Sequence, residues 1–129
     1  MLSSASVAIL VPIRDMNRAI KFYTGKLGGK MGMRADGDMK NMWASVKVGK
    51  QEYWLIAGAK KTDLAYSTFV VKDIKDTVNS LKKKGIRFQR AEKDKTTVKI
   101  DGPINFHDFG AEAFFKDSEG NLLMLWQGM

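Results

Sequence analysis

The chain carries a single histidine, His107, and no cysteine. Without thiols there is neither a disulfide framework nor a thiolate metal site. One imidazole with no second beside it also argues against a histidine-built metal centre. His107 precedes Asp108-Phe109-Gly110, where it can serve as a general base or hold a ligand. The plainer reading, a loop histidine near the surface, is the one the sequence favours. Tyr66 is the second candidate, a phenol able to anchor a carbonyl or an anion while its ring supplies contact area. A Tyr that fills a cavity floor suits the same position equally well.

The elements that must position these residues emerge when the chain is compared with itself. At an offset of 58 residues, Ala8-Ile9-Leu10-Val11-Pro12-Ile13-Arg14-Asp15 falls on Tyr66-Ser67-Thr68-Phe69-Val70-Val71-Lys72-Asp73. Each is an apolar run ending in a basic residue and an Asp. The following segments place Met16, Ile20, Tyr23 and Leu27, then Ile74, Val78 and Leu81, at helical spacing. Each Asp stands where an N-cap belongs, and Gly28-Gly29 and Gly85 stand where helices stop.

At an offset of 69, Ala44 to Ile56 falls on Ala113 to Leu125, each reading as strand, tight turn, strand, with turns at Gly49-Lys50-Gln51 and Ser118-Glu119-Gly120-Asn121. The unequal offsets put surplus chain in the second copy, within residues 89–109, where Thr96 to Pro103 reads as a strand and a turn before His107. Insertions of this length are commonly surface or functional loops. The expected organisation is one domain over residues 1–129, with a first unit at 5–58 and a second at 64–128, each strand, helix, then three strands.

Composition bounds the rest. With 129 residues and 44% hydrophobic content the chain suits a single globular domain. Its 22 basic and 14 acidic side chains give a formal charge of +8, which favours anions. Lys60-Lys61, Lys82-Lys83-Lys84 and the set Lys93, Lys95 and Lys99 are scattered, so they read as solvated surface rather than as a nucleic-acid interface. Residues Val7 to Ile13 are interrupted by Pro12 and followed by Arg14-Asp15, too short a run for a membrane span or a signal peptide. A cytoplasmic location is expected.

Two segments carry a family resemblance: Val11-Pro12-Ile13-Arg14-Asp15 with Ala19, Phe22-Tyr23 and Leu27-Gly28, and Phe109-Gly110 through Asp117-Ser118-Glu119-Gly120-Asn121. They resemble the opening and closing patterns of the glyoxalase/bleomycin-resistance/extradiol-dioxygenase superfamily, the vicinal oxygen chelate fold, with Ser118 in place of the usual Pro. The resemblance implies an α+β fold in which two tandem βαβββ units curl a mixed sheet around a cleft, helices packed outside. It also implies a homodimer.

Metal-dependent relatives hold one divalent ion with side chains from four strands, and the motif marks Ala8, Leu55, Tyr66 and Met124 as the positions to inspect. Ala8 and Leu55 have no donor atom, Met124 has only a thioether and Tyr66 only a phenol, whereas a hard cation needs imidazole or carboxylate donors. The expectation is therefore a member without the usual metal and without a cofactor. Strand parity lines the cleft with Ala8, Leu10, Tyr53, Leu55, Tyr66, Leu122, Met124 and Trp126, an apolar and aromatic wall. These side chains would equally close the cavity by meeting one another. The function expected is the binding of a small neutral or anionic, aromatic or apolar molecule. The alternative is a lyase or dioxygenase working through an unconventional site, with Tyr66 and His107 as its candidate catalytic groups.

Overall fold

Leu10 of the first strand is exposed while Val11 beside it is fully buried, which shows which side carries the core. The computed structural model describes residues 9–58 and 67–128. The chain forms two compact units, Met1–Lys61 and Thr62–Met129. In the first, β1 (Ile9–Ile13) leads to Asp15, whose carboxylate accepts from the Arg18 amide at 3.1 Å and caps α1 (Met16–Lys21). The helix widens into a π-helical turn at Phe22–Lys26 and stops at Gly28, whose φ of 74° only glycine adopts without strain. Then follow β2 (Lys30–Arg34), β3 (Trp43–Val48) and β4 (Gln51–Ala57). The sheet order is β1-β4-β3-β2, with β1 parallel to β4 and the other pairs antiparallel.

On one face of this sheet Val11, Ile13, Ala44, Val46, Tyr53 and Leu55 are buried, as are Met16, Ala19, Phe22 and Tyr23 of the helical segment. Tyr23 and Tyr53 meet with ring centroids 5.9 Å apart. Burying each large apolar side chain contributes about 1.5–3 kcal/mol.

The facing expected for Tyr53 and Leu55 is corrected here. Leu55 pairs with Val11 on β1 and with Ala44 on β3, and all three are fully buried. Paired residues share a face, so Leu55 and Tyr53 point at the helix and belong to the core. The cause is one residue in a turn. Val48 pairs with Gln51 across Gly49-Lys50, whereas the Asp117 amide donates to the Asn121 carbonyl across three residues, Ser118-Glu119-Gly120. The offset of 69 therefore holds for β3 but becomes 70 beyond the turn, where Leu55 matches Leu125 and Trp54 matches Met124. A shift of one residue exchanges the two faces of a strand.

The second unit begins with β5 (Ser67–Val70), and Asp73 accepts from the Asp76 amide at 3.1 Å to cap α2 (Ile74–Lys83). After it come β6 (Thr97–Asp101), β7 (Ile104–His107), β8 (Gly110–Lys116) and β9 (Leu122–Gly128), in the order β5-β9-β8-β7-β6. Ala111, Ala113, Phe115, Leu123 and Leu125 are buried, as are Ile74 and Val78 of α2. The surplus chain adds one strand: β7 lies beside β8 as β2 lies beside β3, and β6 is the extra member, so among the described residues this sheet has five strands where the first has four. His107 thereby ends a strand and is 7% exposed, which corrects its reading as a surface loop residue. The α+β class and the tandem strand-helix-strand plan are as expected, realised as two mixed sheets. Among the described residues no helix is long and apolar enough to cross a membrane.

Candidate functional site

In the second unit the sheet face averted from α2 carries a cavity of about 470 Å³. Its floor comes from alternation along the strands. With Ala111, Ala113 and Phe115 turned to the core, Glu112 and Phe114 face the other way. Asn105 stands directly opposite Glu112 on β7, and Leu122 opposite Lys116 at the start of β9. Asn105, Glu112, Phe114 and Leu122 all line the cavity.

The cover is the chain leaving α2. Phe88 bridges to Phe115, and the Gln89 amide donates to the Phe114 carbonyl at 2.8 Å, so this segment takes the edge of β8 that β7 leaves free. Residues 89–94 then pass over the cavity as a strap. Two side chains from β7 fasten it: Asn105 Nδ2 donates to the Glu92 carbonyl at 3.0 Å, and His107 Nδ1 lies 2.7 Å from Thr96 Oγ1. Arg90 and Lys93 oppose Glu92, Asp94 and Glu112 around the cavity, so the positive excess of the chain is not concentrated here.

Counting protons orders the polar chain behind the pocket. The Thr96 hydroxyl and amide both donate to Asp94 Oδ1, at 2.7 and 2.8 Å. The hydroxyl bond above all, then the amide, hold the Asp94 carboxyl below the ordinary aspartate range, so Asp94 accepts as an anion. Thr96 has one hydroxyl proton. Having given it to Asp94, it can only accept from His107, which assigns a proton to Nδ1. Nε2 of the same ring lies 3.5 Å from Glu112 Oε1, an approach that is favourable when a second proton lies between them. The result is a line of polar contacts from Glu112 at the cavity through His107 and Thr96 to Asp94. The imidazole also stacks on Phe109, centroids 5.0 Å apart, and Phe109 on Trp126 at 6.0 Å.

Of the residues named from sequence, Leu122 lines the cavity, and Met124 and Trp126 share its sheet face, paired with Phe114 and Glu112. Leu10 is 59% exposed on the helix-averted face of the first sheet. Tyr53 and Leu55 lie in the core of the first unit, as described above, and Ala8 and Tyr66 lie outside the described residues. The sequence reading omitted Asn105, Glu112, Thr96 and Asp94. Glu112 was within reach, since the Ala-x-Ala-x-Phe alternation of Ala111 to Phe115 turns it away from the core. Nothing in the sequence points to Asn105 or to the strap.

The metal position of the fold family does not fit these residues. With the register corrected, the place taken from Leu55 passes to Trp54, whose indole nitrogen is a donor with no lone pair to offer. Met124 retains only its thioether. Among the described residues no group of three or more His, Asp or Glu side chains is arranged to hold a metal ion.

A model of the Glyoxalase/Bleomycin resistance protein/Dioxygenase superfamily matches residues 6–125. The chain belongs to that superfamily. Among solved structures, TnmS3, an antibiotic binding protein from Streptomyces sp. CB03234, is 21% identical with a TM-score of 0.68, covering 98% of each chain. The fosfomycin resistance protein FosX from Listeria monocytogenes is 14% identical with a TM-score of 0.72, over 100% of this chain and 94% of that one. A lactoylglutathione lyase from Agrobacterium tumefaciens is 14% identical with a TM-score of 0.69, over 99% and 96%. At these identities the likeness is one of fold. A search of curated protein sequences returns no match.

Proposed function

We propose that the chain is a binding module that takes a small aromatic or apolar organic molecule into the cavity of its second unit, without the metal its relatives use. The observation that carries this reading is the cavity itself. At about 470 Å³ it lies in the range of about 300–1,000 Å³ typical of ligand sites, and it joins an apolar floor of Phe114 and Leu122 to a few convergent polar groups. The mixed charge of its lining favours a neutral ligand over an anionic one. The antibiotic-binding name of TnmS3 and the resistance name of FosX support sequestration as the purpose.

Native mass spectrometry of untreated protein tests the reading. A ligand released on denaturation and absent from a Leu122→Arg variant is expected; ligand retained by that variant contradicts the assignment. Elemental analysis of protein purified without chelators tests the metal-free part, since a stoichiometric transition metal would overturn it. On the family resemblance we also propose a homodimer, which sedimentation at the 14.5 kDa monomer mass would remove.

One observation favours the enzymatic alternative. Glu112 and His107 form a carboxylate–imidazole pair at the cavity wall, the arrangement that proton transfer requires. Conversion of the bound molecule by the wild type, abolished in Glu112→Gln, would replace the binding reading with this one.

A further inference from the structure

Resting on the binding reading above, we infer that the cavity recognises N–H donors on an uncharged planar aromatic ligand through two acceptors held side by side, Asn105 Oδ1 and the Glu112 carboxylate. The orientation of Asn105 is fixed because its Nδ2 donates to the Glu92 carbonyl, and a carbonyl can only accept. That leaves Oδ1 as the acceptor of the same amide. It is buried and has no hydrogen-bond partner, in a residue 3% exposed that lines the cavity. A buried acceptor in this state is costly until a donor reaches it.

Glu112 is the residue directly opposite on β8. Facing residues on one side of an antiparallel pair have Cβ atoms about 5 Å apart, a separation one flat molecule can span. The Glu112 side chain is 24% exposed, with His107 Nε2 3.5 Å from Oε1. Because Arg90 and Lys93 already stand beside the carboxylates of the lining, the site calls for hydrogen bonds rather than for a cation. Phe114 and Leu122 supply the apolar surface for a ring. The ligand class is therefore an aromatic diamine, an amino-substituted heterocycle or an aromatic carboxamide.

Two probes of matched shape test this, 2,3-diaminonaphthalene and 2,3-dimethylnaphthalene, titrated at neutral pH by calorimetry or fluorescence. The diamine is expected to bind about tenfold more tightly, as two donor–acceptor pairs imply. In Asn105→Leu the ratio of the two affinities should shrink towards parity, a ratio that loosening of the strap, which acts on both probes alike, leaves unchanged. Equal binding by the wild type would overturn the donor inference and leave the pocket reading standing. Binding of neither probe would overturn both. Should Asn105→Leu fail to fold, Glu112→Met removes the second acceptor at similar volume, and an unchanged preference there would also refute the inference.

Discussion

His107 and Thr96 are joined by a 2.7 Å contact between Nδ1 and Oγ1, which ties the chain after the strap back to the end of β7. Removing the hydroxyl leaves a buried imidazole nitrogen unpaired, at a cost of about 1–3 kcal/mol. Thr96→Val should lower stability by that amount and raise amide hydrogen exchange over residues 92–97, with little change in β8 and β9. Unchanged exchange in the strap would show that this contact does not hold it.

The same contact chain sets a pH dependence. The Thr96 hydroxyl, then its amide, lower the Asp94 pKa in the folded protein. A depressed folded value means that the stabilisation is present above the unfolded value and is lost as pH falls through the folded one. The carboxyl carbon of Asp94, followed by NMR, should titrate with a midpoint below about 3.9, the unperturbed aspartate value, and strap protection should weaken with it. A midpoint at or above that value contradicts the hydrogen-bonded carboxylate.

Leu55 is 0% exposed, beside Val11, whereas Trp54 is only half-buried on the opposite face. Leu55→Ala should therefore cost about 2–5 kcal/mol. Trp54→Ala should cost less, because its ring does not fill the helix-facing core. Thermal or denaturant melts of the two variants decide the matter, and the reverse order would restore Leu55 to the cleft face.

Gly110 permits the aromatic stack behind the cavity. A Cβ there would lie 2.5 Å from the Trp126 ring and 2.6 Å from the Gln127 carbonyl oxygen. Backbone cannot yield as a side chain can, so Gly110→Ala should destabilise the second unit by about 1–3 kcal/mol and shift the Trp126 indole resonance. A variant with native stability and an unmoved resonance would show that the sheet has slack at this point.

What the sequence revealed followed from local rules. The Asp15 and Asp73 caps, the stops at Gly28 and Gly85 and the buried spacing of Ile74 and Val78 depend on neighbours a few residues away, so all were legible and all are found. Facing on β4 was not, because it depends on counting through a turn, and one extra residue between Asp117 and Asn121 transferred Leu55 from one face to the other. His107 was misplaced for a related reason: β6, which pairs with its strand, has no counterpart in the first unit, so the repeat gives no register for the chain between α2 and β7. The polar pocket of Asn105, Glu112 and the strap is assembled from segments distant in sequence, and only Glu112 had an alternation pattern to reveal it.

The proposed site holds a small organic ligand between the strap and the sheet of the second unit. Amide chemical-shift mapping of the intact chain during titration with uncharged aromatic fragments tests it most directly. Saturable shifts are expected, concentrated on residues 89–94 and on Asn105, Glu112, Phe114 and Leu122. Shifts centred instead on Leu10 and Trp54 of the first sheet, or spread without saturation over the surface, would contradict it.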